Sequence, residues 1–193
     1  KVMWLCVAAA MVVAAVSCGK PPEDRIRKAR AALAEARAAG KVERWAPDEM
    51  ASATAAMEEA EKELAAQSRR FAAMRDYAEA SELFGQAAEE IDMATSAASE
   101  AKAEAERNAR EALDAAGSAI GHAQATLMIV PVSRDARPTV NRIGTDLDKA
   151  ESRLVEVDRL IASEQYKEAT ALAEEILDQV ASLIRTASRA ARK

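Results

Sequence analysis

An apolar stripe with steps of three and four residues starts at Tyr77 and runs through Ala80, Phe84, Ala87, Ile91, Ala94, Ala98, Ala101 and Ala105, then Ala112, Ala116, Ile120, Ala123 and Leu127. No proline interrupts it between Pro47 and Pro131. That spacing keeps side chains on one face of an α-helix, so the stripe is compatible with a single helix of about fifty residues, roughly 75 Å long, and leaves its continuity open. Most of its positions are alanine. Small residues let helices pack closely, but each buries far less than the ~1.5–3 kcal/mol of a buried Leu or Ile, so cohesion must come from length. Gly117 and Gly121 are weak points in the stripe.

Shorter stripes flank it. Pro21-Pro22-Glu23-Asp24 places prolines and acids where a helix start accepts them, and Gly40 stands where a helix would stop. A helix over 22–39 is therefore expected, with Ile26, Ala29, Leu33 and Ala36 inward. Trp45-Ala46-Pro47-Asp48-Glu49 restarts a helix along Met50, Ala53, Met57, Ala60 and Leu64, continued by Phe71 and Met74 and ending near Arg75-Asp76. The methionines Met50, Met57, Met74 and Met93 read as helix-core packing rather than as an adaptable binding face. Beyond the break from Pro131 to Pro138, a helix from about Thr139 carries Val140, Ile143, Leu147, Ala150, Leu154 and Val157. The last starts near Gln165, with Tyr166, Ala169, Ala173, Ile176, Val180, Leu183 and Ala187 along its stripe. Aromatics make up only 3% of the chain, and six Gly with five Pro leave little turn material for a sheet protein.

A shift of about ninety residues aligns Pro47 with Pro138, Ala60-Glu61 and Leu64 with Ala150-Glu151 and Leu154, and Tyr77 and Glu79-Ala80 with Tyr166 and Glu168-Ala169. The expected fold is all-α, an elongated set of antiparallel helical hairpins in which two similar units, residues 22–108 and 109–193, share the long helix.

The N-terminal residues read as an address rather than as part of the fold. Lys1 precedes an unbroken apolar run from Val2 to Val16, and no charge appears before Lys20; this is a signal-peptide pattern over residues 1–17. The run is shorter than the ~20 residues of a spanning helix. It closes on Ala15-Val16-Ser17-Cys18-Gly19, which resembles a bacterial lipobox, although Ala15 stands where leucine is usual. The resemblance implies lipid transfer to the Cys18 thiol, cleavage before Cys18 and acylation of the new amine, with residues 18–21 as lipidated terminus and linker. A thiolate is nucleophilic enough for that transfer near neutral pH. Cys6, in mid-run, would leave with the leader. Multiple acyl chains, at ~0.8 kcal/mol per buried methylene, hold more firmly than one. Gly19 lacks the Asp that resembles an inner-membrane retention signal, which favours the outer membrane.

The segment Trp45-Ala46-Pro47, an Ala/Glu helix, then Arg75-Asp76-Tyr77-Ala78-Glu79-Ala80 resembles the helical domain of unknown function 4398 of bacterial envelope lipoproteins, over residues 22–105 and more faintly 110–190. Tyr77-x-x-Ala80-x-x-x-Phe84-x-x-Ala87 is also similar to the second helix of a tetratricopeptide repeat. That likeness implies close packing at the alanines, without the 34-residue period of such arrays.

Catalytic parts are few. Glu58-Glu59-Glu61-Glu63, Glu89-Glu90-Asp92 and Glu174-Glu175-Asp178 read as solvated helix faces, and His122 has Ala119 rather than Glu three residues before it, so the di-metal bundle motif is missing. No catalytic residue, metal ligand or cofactor is expected. Charge is unevenly spread: residues 19–45 hold eight basic and four acidic groups, residues 46–114 hold seven and seventeen, and residues 183–193 hold four basic groups and no acid. The basic start beside Cys18 suits anionic phospholipid heads, and nucleic acid is not expected as a partner of a net acidic exported chain. The sequence thus predicts a non-catalytic structural or adaptor protein of the cell envelope, held to the membrane through Cys18 and facing the periplasm. An envelope protein is the expected partner, self-association through the alanine stripes is a further expectation, and Trp45, Tyr77 and Tyr166 are candidate contact residues. The alternative is a carrier of lipid or another small hydrophobic ligand.

Overall fold

A computed structural model of the chain describes residues 20–38, 40–129, 133–134 and 136–190. Its first helix, α1 (Glu23–Ala38), opens with Glu23 and Asp24 in the first turn, against the positive end of the helix dipole. The Ile26 amide donates to the Pro22 carbonyl at 3.0 Å. Gly40 ends the segment in a left-handed conformation, φ 59°, that a residue with a Cβ adopts only at a cost. A short helix not anticipated from the stripe, α2 (Lys41–Trp45), follows, and only Ala46 separates it from α3 (Pro47–Ser68). Proline carries no amide hydrogen and pushes the residue before it out of the helical region. Ala46 accordingly sits at φ −141°, ψ 61°, and Pro47 takes the first turn of the new helix, where no donor is needed.

α3 stops at Ser68, several residues before the expected end near Arg75-Asp76. The reason lies in side chains. Gln67, buried at 3% exposure, accepts the Asp76 amide on Oε1 at 3.1 Å and donates from Nε2 to Glu63 at 2.7 Å. Arg75 turns back to donate to the Ser68 carbonyl at 3.1 Å and the Arg70 carbonyl at 3.0 Å. These bonds meet the backbone needs of the helix end and fold 69–77 into a connection around the 3-10 turn Ala72–Met74. Phe71 and Met74 are therefore exposed rather than part of the α3 stripe, and Met93 is exposed as well, whereas Met50 and Met57 are core. Met93 lies off the stripe between Ile91 and Ala94, both buried.

α4 (Ala78–Ile129) is one helix of 52 residues, so the stripe whose continuity the sequence left open runs without a break. Asp76 accepts the Ala78 amide at 3.0 Å beside its start. α5 (Arg137–Ala162) holds Pro138 in its first turn and starts two residues before Thr139. It ends in a six-to-one and five-to-two pair of bonds, Gln165 to Leu160 at 2.9 Å and Glu164 to Ile161 at 3.0 Å, with Glu164 left-handed at φ 59°. α6 (Tyr166–Ala190) completes the six helices among the described residues, which contain no strand.

The chain divides between Lys102 and Ala103 into two compact units, each of which takes one part of α4. In the first, α1, α2, α3 and the start of α4 enclose a core whose largest fully buried side chains are Phe84 and Ile91, filled out by alanines such as Ala29, Ala53, Ala60 and Ala87. In the second, the rest of α4 joins α5 and α6, and Ile143, Leu147, Val157, Ile176 and Val180 are fully buried.

Equivalent positions recur in the two cores. Ala53, Met57 and Ala60 correspond to Ile143, Leu147 and Ala150, and Tyr77, Ala80, Phe84, Ala87 and Ile91 to Tyr166, Ala169, Ala173, Ile176 and Val180; all are buried. Bulk is redistributed between equivalent sites: Phe84 faces an alanine equivalent in Ala173, while Ala53 and Ala87 have isoleucine equivalents. Total volume and pattern are what such a core must keep.

The glycines within α4 allow a direct test. A Cβ on Gly117 would stand 3.7 Å from Leu154 Cδ1, an ordinary contact, and one on Gly121 meets nothing within 4 Å. Alanine is favoured over glycine in a helix interior by about 0.8–1 kcal/mol. The double variant Gly117→Ala/Gly121→Ala is expected to stabilise the second unit by roughly 1–2 kcal/mol in urea denaturation followed by circular dichroism. An unchanged midpoint would show that α4 does not carry its helix through this stretch.

Candidate interaction surface

Carboxylates stand on the solvated faces of the helices. Glu58, Glu59 and Glu61 of α3 are exposed, as are Glu174, Glu175 and Asp178 of α6. Two of the six meet cations of neighbouring helices: Arg30 pairs with Glu61 at 2.9 Å, and Arg153 with Glu175 at 2.9 Å. Pairs this exposed contribute about 0–1 kcal/mol each and chiefly set helix register. No group of three or more His, Cys, Asp or Glu among the described residues is arranged to hold a metal ion. His122 is exposed on α4.

Of the candidate contact residues, Trp45 is half-buried against the first core, with the Arg44 guanidinium carbon 5.2 Å from the centre of its ring. That distance is within cation–π range. Close by in sequence, Glu43, Pro47, Met50, Ala51, Thr54, Ala55 and Glu58 line a shallow, open concavity of 390 Å³. Thr54 donates to the Met50 carbonyl at 2.8 Å, which turns its hydroxyl back toward the helix.

Tyr77 and Tyr166 are core residues, each 5% exposed, in equivalent places just before or at a helix start. The Tyr166 hydroxyl donates to Glu106 Oε2 at 3.4 Å, and Arg110 holds the other oxygen of Glu106 at 2.8 Å. The hydrogen bond and charge of Glu106 hold the Arg110 guanidinium above its ordinary pKa. This arrangement fixes the turn between α5 and α6 against α4, within the second unit. The structure thus leaves little of either tyrosine for an outside partner; along the α4 stripe Ala80, Ala87, Ala94 and Ala98 are buried, while Ala101, Ala105 and Ala112 are half-buried. Cys18, with Ala15, Val16 and Ser17, lies outside the described residues.

The surface feature not foreseen from the stripes is the connection between α3 and α4. Phe71 is 77% exposed and Met74 71%, the strongest display of large apolar side chains among the described residues of the first unit, and Arg69 and Arg70 beside them are exposed too. The signal was present in the sequence as Arg69-Arg70-Phe71-Ala72-Ala73-Met74-Arg75, an apolar pair bracketed by arginines. A stripe drawn through Phe71 and Met74 concealed it.

No helix among the described residues is long and apolar enough to cross a membrane. Comparison of the chain with protein-family models, with curated proteins and with solved structures finds no match.

Proposed function

We propose that this chain is a lipid-anchored protein of the bacterial cell envelope, attached through Cys18, whose two helical units act as a non-catalytic structural or adaptor element facing the periplasm. The observation that carries the reading is the uncharged run from Val2 ending in Ala15-Val16-Ser17-Cys18-Gly19, followed within a few residues by the start of a helical fold. The resemblance to the helical domain of envelope lipoproteins supports it on the residues around Trp45 and Tyr77. The folded part adds helical surfaces rich in charge, suited to presenting faces to another envelope component.

Intact mass spectrometry of the membrane-extracted chain, produced in a bacterium with its own leader, tests the anchor beside a Cys18→Ala variant. The expected mass corresponds to cleavage before Cys18 plus acyl chains. The variant is expected to lack both changes. An unacylated mass for the unaltered chain would remove the anchor and with it the main support for the adaptor reading.

A further inference from the structure

The helices of the first unit alternate in direction, and this decides which loops share an end. Arg30, seven residues into α1, pairs with Glu61, seven residues before the end of α3, at 2.9 Å. Arg37, further along α1, donates to the Thr54 hydroxyl, earlier in α3, at 3.5 Å, so the two helices run antiparallel and the start of α1 is level with the end of α3. Arg25 donates to the Ser81 carbonyl at 2.9 Å, which sets the start of α1 beside the start of α4 as well. The α3–α4 connection and the N-terminus of the folded chain consequently occupy the same end of this unit. Cys18 is two residues before Lys20, a reach of at most about 7 Å by covalent geometry.

The connection is a built display. Arg75 bonds the carbonyls of Ser68 and Arg70, Gln67 holds the Asp76 amide, and the Met74 amide donates to the Phe71 carbonyl at 2.8 Å. With the backbone pinned in this way, the exposed Phe71 and Met74 are presented by a turn whose ordering cost has already been met. Arg69 and Arg70 pair with no carboxylate among the described residues. At this end, across residues 20–28 and 63–84, there are seven basic and six acidic groups, in a chain whose net charge is −5. Of the six acids, Asp24 is paired to Arg27 at 2.6 Å, Glu63 accepts from Gln67 at 2.7 Å and Asp76 accepts the Ala78 amide.

We propose that this end of the first unit is a lipid-contacting tip: Phe71 and Met74 enter the interfacial region of an anionic phospholipid bilayer while Arg69 and Arg70 meet its phosphates. Aromatic and thioether side chains on a basic rim are the combination that such an interface accommodates, apolar groups at the acyl boundary and guanidinium groups at the heads. A protein partner would also accept an apolar pair, but two arginines directly before Phe71, neither paired with a carboxylate among the described residues, match the phosphates of an anionic lipid surface better. That a lipid tether serves this same end rests on the anchored reading above; the apolar and basic display does not.

The test uses the full chain in bacterial membranes, with a photoreactive benzophenone amino acid placed at position 71, 74 or 93. Position 93 is the control, because Met93 is 61% exposed on α4 of the same unit. After illumination, adducts are identified by mass, and acylation at Cys18 is read from the same sample. Phospholipid adducts at 71 and 74, at least tenfold above those at 93 on an order-of-magnitude scale, are expected. With the photoreactive residue at 71, Arg69→Gln/Arg70→Gln is expected to lower the lipid adduct by up to about fivefold per charge. Neither arginine is in the core, so an unchanged helical spectrum and melting point should accompany the loss. Adducts to protein chains at 71 and 74, or lipid adducts no higher than at 93, overturn the proposal. An acylated chain without tip adducts would reject the tip and leave the anchor standing; tip adducts on an unacylated chain would do the reverse.

Discussion

Phe84→Ala is expected to destabilise the first unit by about 3–5 kcal/mol. Phe84 has no exposed surface and is the one phenylalanine among that unit's buried residues, where most neighbours along the stripe are alanines. Truncation removes its transfer free energy and leaves a cavity that alanines, already at their smallest, have no side-chain length to fill. Against the ~5–15 kcal/mol by which ordinary domains are stable, this is a large share. Urea denaturation followed by circular dichroism would measure it, with Phe84→Leu as a volume control expected to cost much less. A loss below about 1 kcal/mol would mean that the helices close over the space, and that the alanine core is not the close-packed arrangement described above.

The second large effect is expected at Ala103→Pro. Ala103 is exposed and adjoins the division between the two units, so its side chain contributes nothing to either core. Proline there removes the amide hydrogen that a helix directs to residue 99 and forces its ring against that carbonyl, at a cost of about 3 kcal/mol or more. The expected result is a lower denaturation midpoint, with hydrogen exchange accelerated around 99–103 and the packed cores on either side still protected. Ala103→Ser, which keeps the amide, is expected to be within about 1 kcal/mol of the parent chain. Equal exchange in the proline and serine variants would sink the view that α4 passes unbroken through this point.

Much of the fold was legible because helical periodicity is a repeated signal. All four inward positions assigned to the first helix, Ile26, Ala29, Leu33 and Ala36, are buried, and so are Tyr166, Ala169, Ala173, Ile176 and Val180 of the last. Ala109, which continues the steps of three and four from Ala105 to Ala112, is fully buried as well. Illegible parts were those decided by single side chains. No proline or glycine marks the end of α3, since Gln67 and Arg75 terminate it with hydrogen bonds that depend on how 69–77 folds. α2 spans five residues, too few to show a period. The contact surface was harder still: Trp45, Tyr77 and Tyr166 drew attention as rare aromatics, yet both tyrosines are absorbed into cores, and the exposed Phe71 was hidden by fitting the stripe spacing.

The shared helix also bears on the order of events when the chain folds. Starting a helix is unfavourable by a factor of about a thousand, whereas lengthening one is nearly neutral or favourable. In α4 one such initiation serves two bundles. A chain that emerges from its N-terminus completes the first unit at Lys102, and the part of α4 beyond that residue can then grow from a helix already held by packing. The second bundle begins with one of its three helices in register. The α5–α6 hairpin, joined through only 163–165, has then to dock onto a template rather than assemble a nucleus of its own. Connectivity makes the first unit the seed and the second its extension.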